Sequence, residues 1–308
     1  MIKPELKKNV QGIILENESM SKHTSYGIGG KVMAYITPYD IKDLIKIIKI
    51  INRNNLKFYF VGSGSNLLVN DKKINAIIIT PAKALKSLTI KNNKINAESG
   101  VMLGRMVKEA IKHNLTGLES LVGVPGTLGG AIMMNAGAWG SEISNYLISV
   151  DVINTNGKIK TLYPKDLEFS YRQSSFKSNE FILSAEFELS KSTKVEIEKK
   201  KLIASKGRIS SQPLRYRSAG SVFKNPHNKL AAGFLIDEAG LKGTRIGEAE
   251  ISTHHANFFI NHGNAKAIDI AKLIKLSRKT IYDKFGIMLE LEIKTIGFES
   301  TDLYPHAI

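Results

Sequence analysis

The sequence contains no cysteine, which excludes disulfides, thiolate catalysis, iron–sulfur clusters and every zinc site built on cysteine. A metal could be held only through His, Asp and Glu. No apolar run approaches the ~20 residues that a membrane-spanning helix requires, so membrane insertion is not expected. The first residues, Met1 to Val10, are basic but pass into Gln11, Glu16 and Glu18 rather than an apolar stretch, which does not read as a secretory signal. Internal repeats and low-complexity segments are missing too. A soluble, cytoplasmic protein is the expectation. What is present is ordinary globular composition: 308 residues, 43% hydrophobic and 23% charged. Such a chain is not disordered and suffices for two or three compact units of roughly 100–150 residues each.

Acidic residues are scarce, 28 against 44 basic ones, leaving a formal charge of +16. Three readings compete: nucleic-acid binding, anionic small ligands, or solvated surface lysine. The distribution favours the last. Basic clusters occur only at Lys7-Lys8, Lys72-Lys73 and Lys199 to Lys201, and the last alternates with Glu196 and Glu198 as an exposed helix face does. Nucleic acid is not an expected partner.

Local patterns predict mixed α and β structure. Thr37-Pro38-Tyr39-Asp40 reads as a helix start, with Thr37 as N-cap, followed by an apolar stripe of Ile41, Leu44, Ile45, Ile48 and Ile51. Strands are expected at Phe58–Val61, Leu67–Val69 and Ala76–Ile79, and a hairpin near 88–97. A second helix should turn Met102, Leu103, Met106, Val107, Ala110 and Ile111 inward. Strands at 148–153 and 159–162 are joined through Asn156-Gly157, a hairpin signal, and 181–189 alternates as a half-buried strand. Thr193 and Glu196 form a capping box for a charged helix to about Arg208, and Ser210-Ser211-Gln212-Pro213 behind it marks a domain boundary. Beyond it come a helix near 229–239 stopped by Gly240, strands near 247–251 and 256–260, a long helix from 264 to about 284, and a final strand 288–296.

Two glycine-rich loops stand out. Gly62-Ser63-Gly64-Ser65-Asn66 opens like a dinucleotide fingerprint, but Leu67 occupies the third glycine position and a strand follows at once, so the Rossmann reading fails. Gly123 to Gly140 holds six glycines in 18 residues, yet Ala131 follows Gly129-Gly130 where a Walker loop needs Lys-Ser/Thr. Either loop alone is compatible with a plain tight turn. Both together fit one extended ligand with two phosphates, because glycine lets backbone N–H groups converge on an anion.

Thr24 to Gly30, Gly62 to Val69, and Gly123 to Ala131 with Asn135-Ala136-Gly137 resemble the FAD-binding domain of the vanillyl-alcohol-oxidase (PCMH) type. With Tyr171-Arg172, Gly220 to Pro226 and Leu289 to Ile293 added, the chain from about Ser21 to Gly297 is similar to the UDP-N-acetylenolpyruvoylglucosamine reductase family. That resemblance implies an α+β fold: a FAD-binding domain in two subdomains plus a C-terminal α+β substrate-binding domain. The expected boundaries are an N-terminal extension at 1–20, the FAD domain at 21–190 (about 21–85 and 86–190), a connecting helix and linker at 191–211, the substrate domain at 212–298 and a tail at 299–308.

The resemblance further implies noncovalent FAD, NADPH as reductant, a UDP-sugar substrate, an enolpyruvyl C=C as the group reduced, a place in peptidoglycan precursor synthesis, and a monomer. It assigns FAD to Tyr26, Gly62, Ser63, Gly64, Ser65, Asn66, Leu67, Gly123, Pro125, Gly126, Thr127, Gly129, Gly130, Ala131, Asn135 and Gly137. Ser221 matches the family's proton donor and Arg172 the arginine that pairs with the enolpyruvyl carboxylate. Glu292 matches the glutamate that completes the site. Tyr171, Lys224 and Asn225 are expected to contact the UDP-sugar, with Arg215, Arg217 and Asn257 as further candidates. Without the resemblance, Ser221 is a loop serine, Arg172 a solvated arginine and Glu292 a carboxylate on a polar strand face. His254, His255 and His262 do not make a metal site, because adjacent strand histidines face opposite ways and no carboxylate sits at ligand spacing. The stretch from 208 to 297 has no room for a tyrosine-lid insertion, so the chain resembles the shorter of the family's two architectures.

Overall fold

The computed structural model describes residues 4–226 and 230–305. The chain forms two compact units, each discontinuous in sequence. The first takes residues up to Asn17, Met33–Ser63 and Asn75–Arg208; the second takes Glu18–Val32, Gly64–Ile74 and the residues from Ile209 onward.

The first unit begins with a short helix, α1 (Pro4–Asn9), and a four-stranded sheet in the order Ile13–Glu16, Val32–Thr37, Ile74–Ile79, Phe58–Phe60. Helix α2 (Ile41–Arg53) covers it, and Leu44, Ile47, Ile48 and Ile51 close a core with Ile36, Ile77 and Ile79. The cap differs from expectation: Thr37 ends a strand, and Asp40 is the N-cap, its carboxylate accepting from Asp43 N at 2.7 Å. The chain is still paired to Ile13 at Thr37, so helical geometry cannot begin there. Asp43 is wholly buried and accepts from Gln11, Gly12 and Tyr39 N–H groups, each at 2.9 Å. This carboxylate thereby fixes both chain segments that flank α2.

A five-stranded antiparallel sheet follows, ordered Ile159–Leu162, Leu147–Asn154, Glu180–Glu188, Lys94–Glu98, Leu88–Lys91. Its inner face (Ala97, Val150, Val152, Ala185, Phe187) packs with Leu103, Met106, Val107 and Ala110 of α3 (Leu103–Lys112) and Leu128 and Ile132 of α4 (Leu128–Met133). Met102, expected inside, is the exposed residue preceding α3. Helix α5 (Lys194–Ser211) starts behind Thr193, whose hydroxyl accepts from Glu196 N. It runs through Ser210 and Ser211, so the expected linker is helical as far as Ser211.

The second unit has one core, in which Tyr26, Ile28 and Leu68 pack with residues more than 150 positions later, among them Phe223, Phe259, Ile274 and Leu289. Its helices are α6 (Ala232–Glu238), α7 (Ala267–Phe285) and the single turn α8 (Ser300–Leu303). The start expected for α6, at 229, lies outside the described residues. A three-stranded sheet runs Arg245–Ile246, Ala249–Ile251, Phe259–Asn261, and Lys294–Ile296 pairs in parallel with Leu67–Val69. The expected final strand, 288–296, forms this ladder only over its last three residues. Upstream, Leu291 instead bridges Phe223, and Glu292 N donates to Val222 O at 2.8 Å.

Candidate active site

In the first unit the two glycine loops meet. A Cβ on Gly62 would lie 2.2 Å from Thr127 Oγ1, and one on Gly129 would lie 3.0 Å from Ser99 Cβ. Close approach, not a left-handed backbone, therefore demands glycine at these two positions. The second loop is stitched to the segment before α3: Leu103 N donates to Gly126 O (2.9 Å), Leu128 N to Val101 O (2.8 Å) and Gly129 N to Ser99 O (2.9 Å). Gly123 and Gly126 do have left-handed φ values of 74° and 130°. Gly123 also lies under the aliphatic stem of Arg208, whose guanidinium burial disfavours as a cation. Pro125 and Gly130 are exposed, whereas Thr127 and Ala131 are buried.

Asn135 continues this site. It is buried with φ +43°, and its Nδ2 donates to Glu142 Oε2 at 2.6 Å and to Ser170 O at 3.0 Å. Gly137 packs on the same Glu142. Ser170 begins the two-residue turn of a hairpin, Phe169–Ser170 against Gln173–Ser174, whose tip is Tyr171-Arg172. Arg172 holds φ +57°, a costly conformation for a residue with a side chain, and its guanidinium lies 5.0 Å from the Tyr171 ring centroid. The arginine expected at the substrate is thus displayed on a strained turn anchored to the Asn135 loop.

The expected cofactor segment 62–67 is shared: Gly62 and Ser63 belong to the first unit, Gly64 to Leu67 to the second. Gly64, at φ +69°, packs so closely that a Cβ would fall 2.0 Å from His23 O, and its own carbonyl accepts from Ser25 N. Asn66 Nδ2 donates to Glu292 O at 3.1 Å while Asn66 O accepts from Lys294 N, so this loop holds Glu292 in place. The Tyr26 ring is fully enclosed in the core, and burial pushes its phenol well above the ordinary range.

Ser221 and Glu292 are brought together in the second unit. Ser221 bridges Phe258, and the next carbonyl, Val222 O, accepts from Glu292 N. Gly220 has φ +78° and a Cβ there would touch nothing, so its requirement is conformational. Asn257 grips the following peptide from both sides: Oδ1 accepts from Phe223 N at 2.9 Å, and Nδ2 donates to Phe223 O at 2.8 Å. It is 3% exposed, which makes it a positioning group. Lys224 Nζ pairs with Glu290 Oε1 at 2.7 Å, and Asn225 Oδ1 accepts from Ala232 N at 3.0 Å, ahead of α6. Arg217 lies on Gly27, and Arg215 is exposed. His262 pairs with Glu250 at 2.8 Å. Burial keeps the His255 imidazole below its ordinary pKa. Among the described residues, no three His, Asp or Glu side chains converge as a metal site would need.

Sequence reasoning passed over Ser99, Glu142, Arg208 and Arg278. For Arg278 a signal existed: it stands on the apolar stripe of α7, four residues after Ile274 and three before Ile281.

The two closely packed glycine loops and the helices on an antiparallel sheet define a FAD-binding domain, and comparison with known proteins agrees. Residues 32–163 match the family model of a FAD binding domain, and residues 212–296 match that of the C-terminal domain of UDP-N-acetylenolpyruvoylglucosamine reductase. Curated relatives of the latter name include one from Carboxydothermus hydrogenoformans, 40% identical over 96% of this chain and 98% of its own. Another, from Caldicellulosiruptor bescii, is 44% identical over 94% and 93%. A crystal structure of the reductase from Thermus caldophilus superposes with a TM-score of 0.78 at 30% identity, covering 93% of this chain and 99% of that one. The chain belongs to the UDP-N-acetylenolpyruvoylglucosamine reductase family.

The first unit fits FAD on its own evidence. The Ser63 and Ser99 hydroxyls and Asn135 Oδ1 are buried without a hydrogen-bond partner, and all three belong to the loops just described or to the segment stitched to them. Ser120 Oγ and Ser277 Oγ are buried in the same way elsewhere, but these three gather at the glycine loops, and because buried polar groups in proteins normally find partners, they suit a polar ligand. The Gly62–Thr127 and Gly129–Ser99 contacts show why side chains are absent there.

Proposed function

We propose that the chain is a flavin-dependent reductase that converts the enolpyruvyl ether of UDP-N-acetylglucosamine to the lactyl ether of UDP-N-acetylmuramate with NADPH, in peptidoglycan precursor synthesis. The observation that carries this is the family relationship along nearly the whole chain. In the second unit, Ser221 and Glu292 stand on segments joined by a backbone bond. FAD held by the glycine-loop residues would supply hydride chemistry, taking one hydride equivalent from NADPH for delivery to the terminal vinyl carbon. The chain's own residues handle the charge that this leaves on the neighbouring carbon and its carboxylate. The Arg172 fork pairs with the carboxylate as a planar anion, and Glu292 completes the set of residues assigned to the reaction. The Ser221 hydroxyl gives its proton to the carbanionic carbon and recovers one from water. Positioned transfer of this kind contributes about 10²–10⁴-fold, and preorganised donors aimed at the developing charge add to it.

The cofactor is assigned to Gly62 to Leu67, Gly123, Pro125, Gly126, Thr127, Gly129, Gly130, Ala131, Asn135 and Gly137, and to Tyr26. Tyr171, Lys224 and Asn225 contact the UDP-sugar, and Lys224 exchanges its pairing with Glu290 for a phosphate. As stretches of sequence, 212–298 is assigned to the substrate and 21–190 to FAD, although Glu18–Val32 and Gly64–Ile74 pack in the second unit. No helix of the described residues is long and apolar enough to cross a membrane. The protein acts as a cytoplasmic monomer that binds no nucleic acid.

Stopped-flow absorbance on Ser221→Ala tests this reading. NADPH should bleach the flavin at the normal rate, while the enolpyruvyl sugar should no longer restore its colour. Loss of both half-reactions, or of neither, would refute it.

A further inference from the structure

We propose that Arg278 is a positioning residue for this reduction, locking the Ser221–Lys224 segment, the Leu289–Glu292 segment and the C-terminal turn at Ser300–Tyr304 into one piece. The proposal rests on the assignment of Ser221 and Glu292 to the reaction given above.

Arg278 lies in the middle of α7 with no exposed surface, the largest fully buried side chain among the described residues. Its Nε donates to Leu289 O at 2.9 Å and its Nη1 to Leu303 O at 2.8 Å. The guanidinium carbon lies 3.8 Å from the Tyr304 ring centroid and 5.9 Å from that of Phe223. One planar group therefore touches three segments that are distant in sequence. Two of them carry the reacting residues. Phe223 is two positions after Ser221, and Leu289 is three before Glu292.

The segments it holds are already tied to each other. Lys224 N donates to Glu290 O, Lys224 Nζ pairs with the Glu290 carboxylate, and Phe223 bridges Leu291. Arg278 sets where that assembly sits on α7. Burying a cation among carbonyls and rings is unfavourable against an apolar side chain of equal volume, and burial indeed disfavours the charged form here. Mere space-filling would be served as well by methionine. Only a guanidinium has donors in a fixed fork that reach two carbonyls while its plane stacks on rings. The same contact gives the C-terminal turn a function, since Leu303 and Tyr304 share a core with Phe223 and Leu289 and are tied to the Ser221 and Glu292 segments by the hydrogen bonds and ring contacts of this side chain. Lys275 Nζ steadies the turn by donating to Thr301 O at 3.2 Å.

The test compares the two half-reactions of purified, flavin-loaded wild type, Arg278→Lys and Arg278→Met by stopped flow. A misplacement on the order of 1 Å costs about 10²-fold. Reoxidation by the enolpyruvyl sugar should thus slow about 10–10²-fold in Arg278→Met and less in Arg278→Lys, while bleaching by NADPH keeps its wild-type rate constant. The solvent deuterium isotope effect on reoxidation should rise, because proton delivery from Ser221 becomes limiting. A structural role alone would lower the amplitudes of both half-reactions with the fraction of folded enzyme and leave both rate constants and the isotope effect unchanged, and that result overturns the proposal. If Arg278→Met does not fold, Tyr304→Leu decides: selective slowing of reoxidation supports the proposal and equal rates overturn it. A wild-type flavin that NADPH bleaches but the sugar never reoxidises refutes the functional reading itself, before any variant is compared.

Discussion

Replacing Asn257 separates the two hydrogen bonds that its amide makes to Phe223. In Asn257→Leu both Phe223 N and Phe223 O lose their partner at a site where Asn257 is 3% exposed. Stranding a buried polar group costs about 1–3 kcal/mol, so the pair costs about 2–6 kcal/mol, and at about 2–4 °C per kcal/mol the Tm should fall by several degrees or more. Asn257→Asp keeps the acceptor for Phe223 N but turns a carboxylate oxygen toward Phe223 O, which now accepts from Nδ2 at 2.8 Å. Burial and the facing carbonyl raise the folded pKa of the introduced carboxyl above its ordinary value of about 3.9. Its protonated form can donate to Phe223 O. The folded state then holds a proton that the unfolded state has released, so stability relative to wild type declines as pH rises from about 3.9 to the raised folded pKa. The slope is about 1.4 kcal/mol per pH unit, flattening above that value. Denaturant unfolding from about pH 5 to about pH 8 reads this directly. An Asn257→Leu protein as stable as wild type, or an Asn257→Asp deficit that does not vary with pH, would refute the reasoning.

Gly62→Ala places a methyl 2.2 Å from Thr127 Oγ1 and should weaken FAD retention, measured by fluorescence on release. Adding Thr127→Ala should restore part of it, and strictly additive losses would contradict the contact. Asp43→Ala removes the acceptor for three backbone N–H groups and should destabilise by about 2–5 kcal/mol in denaturant unfolding, with little change in the activity of the folded fraction. Lys224→Met should raise the KM for the UDP-sugar more than it lowers kcat, with NADPH reduction unaffected. His255, held neutral by burial, contributes stability that is present above the unfolded pKa of about 6.5 and is lost as pH falls toward its lower folded value. The pH-dependence of unfolding in that window should flatten in His255→Gln.

Much of the helix and strand content was legible because it is local. The stripe from Leu44 to Ile51 and the Asn156-Gly157 turn each encode their element within a few residues. The N-cap of α2 was misread because Thr37 had a non-local commitment, its pairing with Ile13. The strand expected from 288 is mostly irregular for a similar reason: Leu291 and Glu292 are recruited by Phe223 and Val222, which no local alternation reveals. The candidate site residues were assigned through family motifs rather than physics, since nothing about a loop serine announces proton transfer. Arg278 escaped because a charge on a helix reads as surface. Its place between Ile274 and Ile281 was the contrary sign.

The second unit assembles Glu18–Val32 and Gly64–Ile74 with the last hundred residues, and this ordering governs how the chain matures on the ribosome. Tyr26, Ile28 and Leu68 are synthesised more than 200 residues ahead of their partners Ile274 and Leu289. Those apolar residues lack these partners until the later segments have been made. Such long-range closure is slow and leaves the nascent chain open to association in the interval. The first unit, whose residues are all in place by Arg208, can fold ahead of it. Chaperone demand during synthesis should therefore concentrate on the N-terminal segments reserved for the second unit.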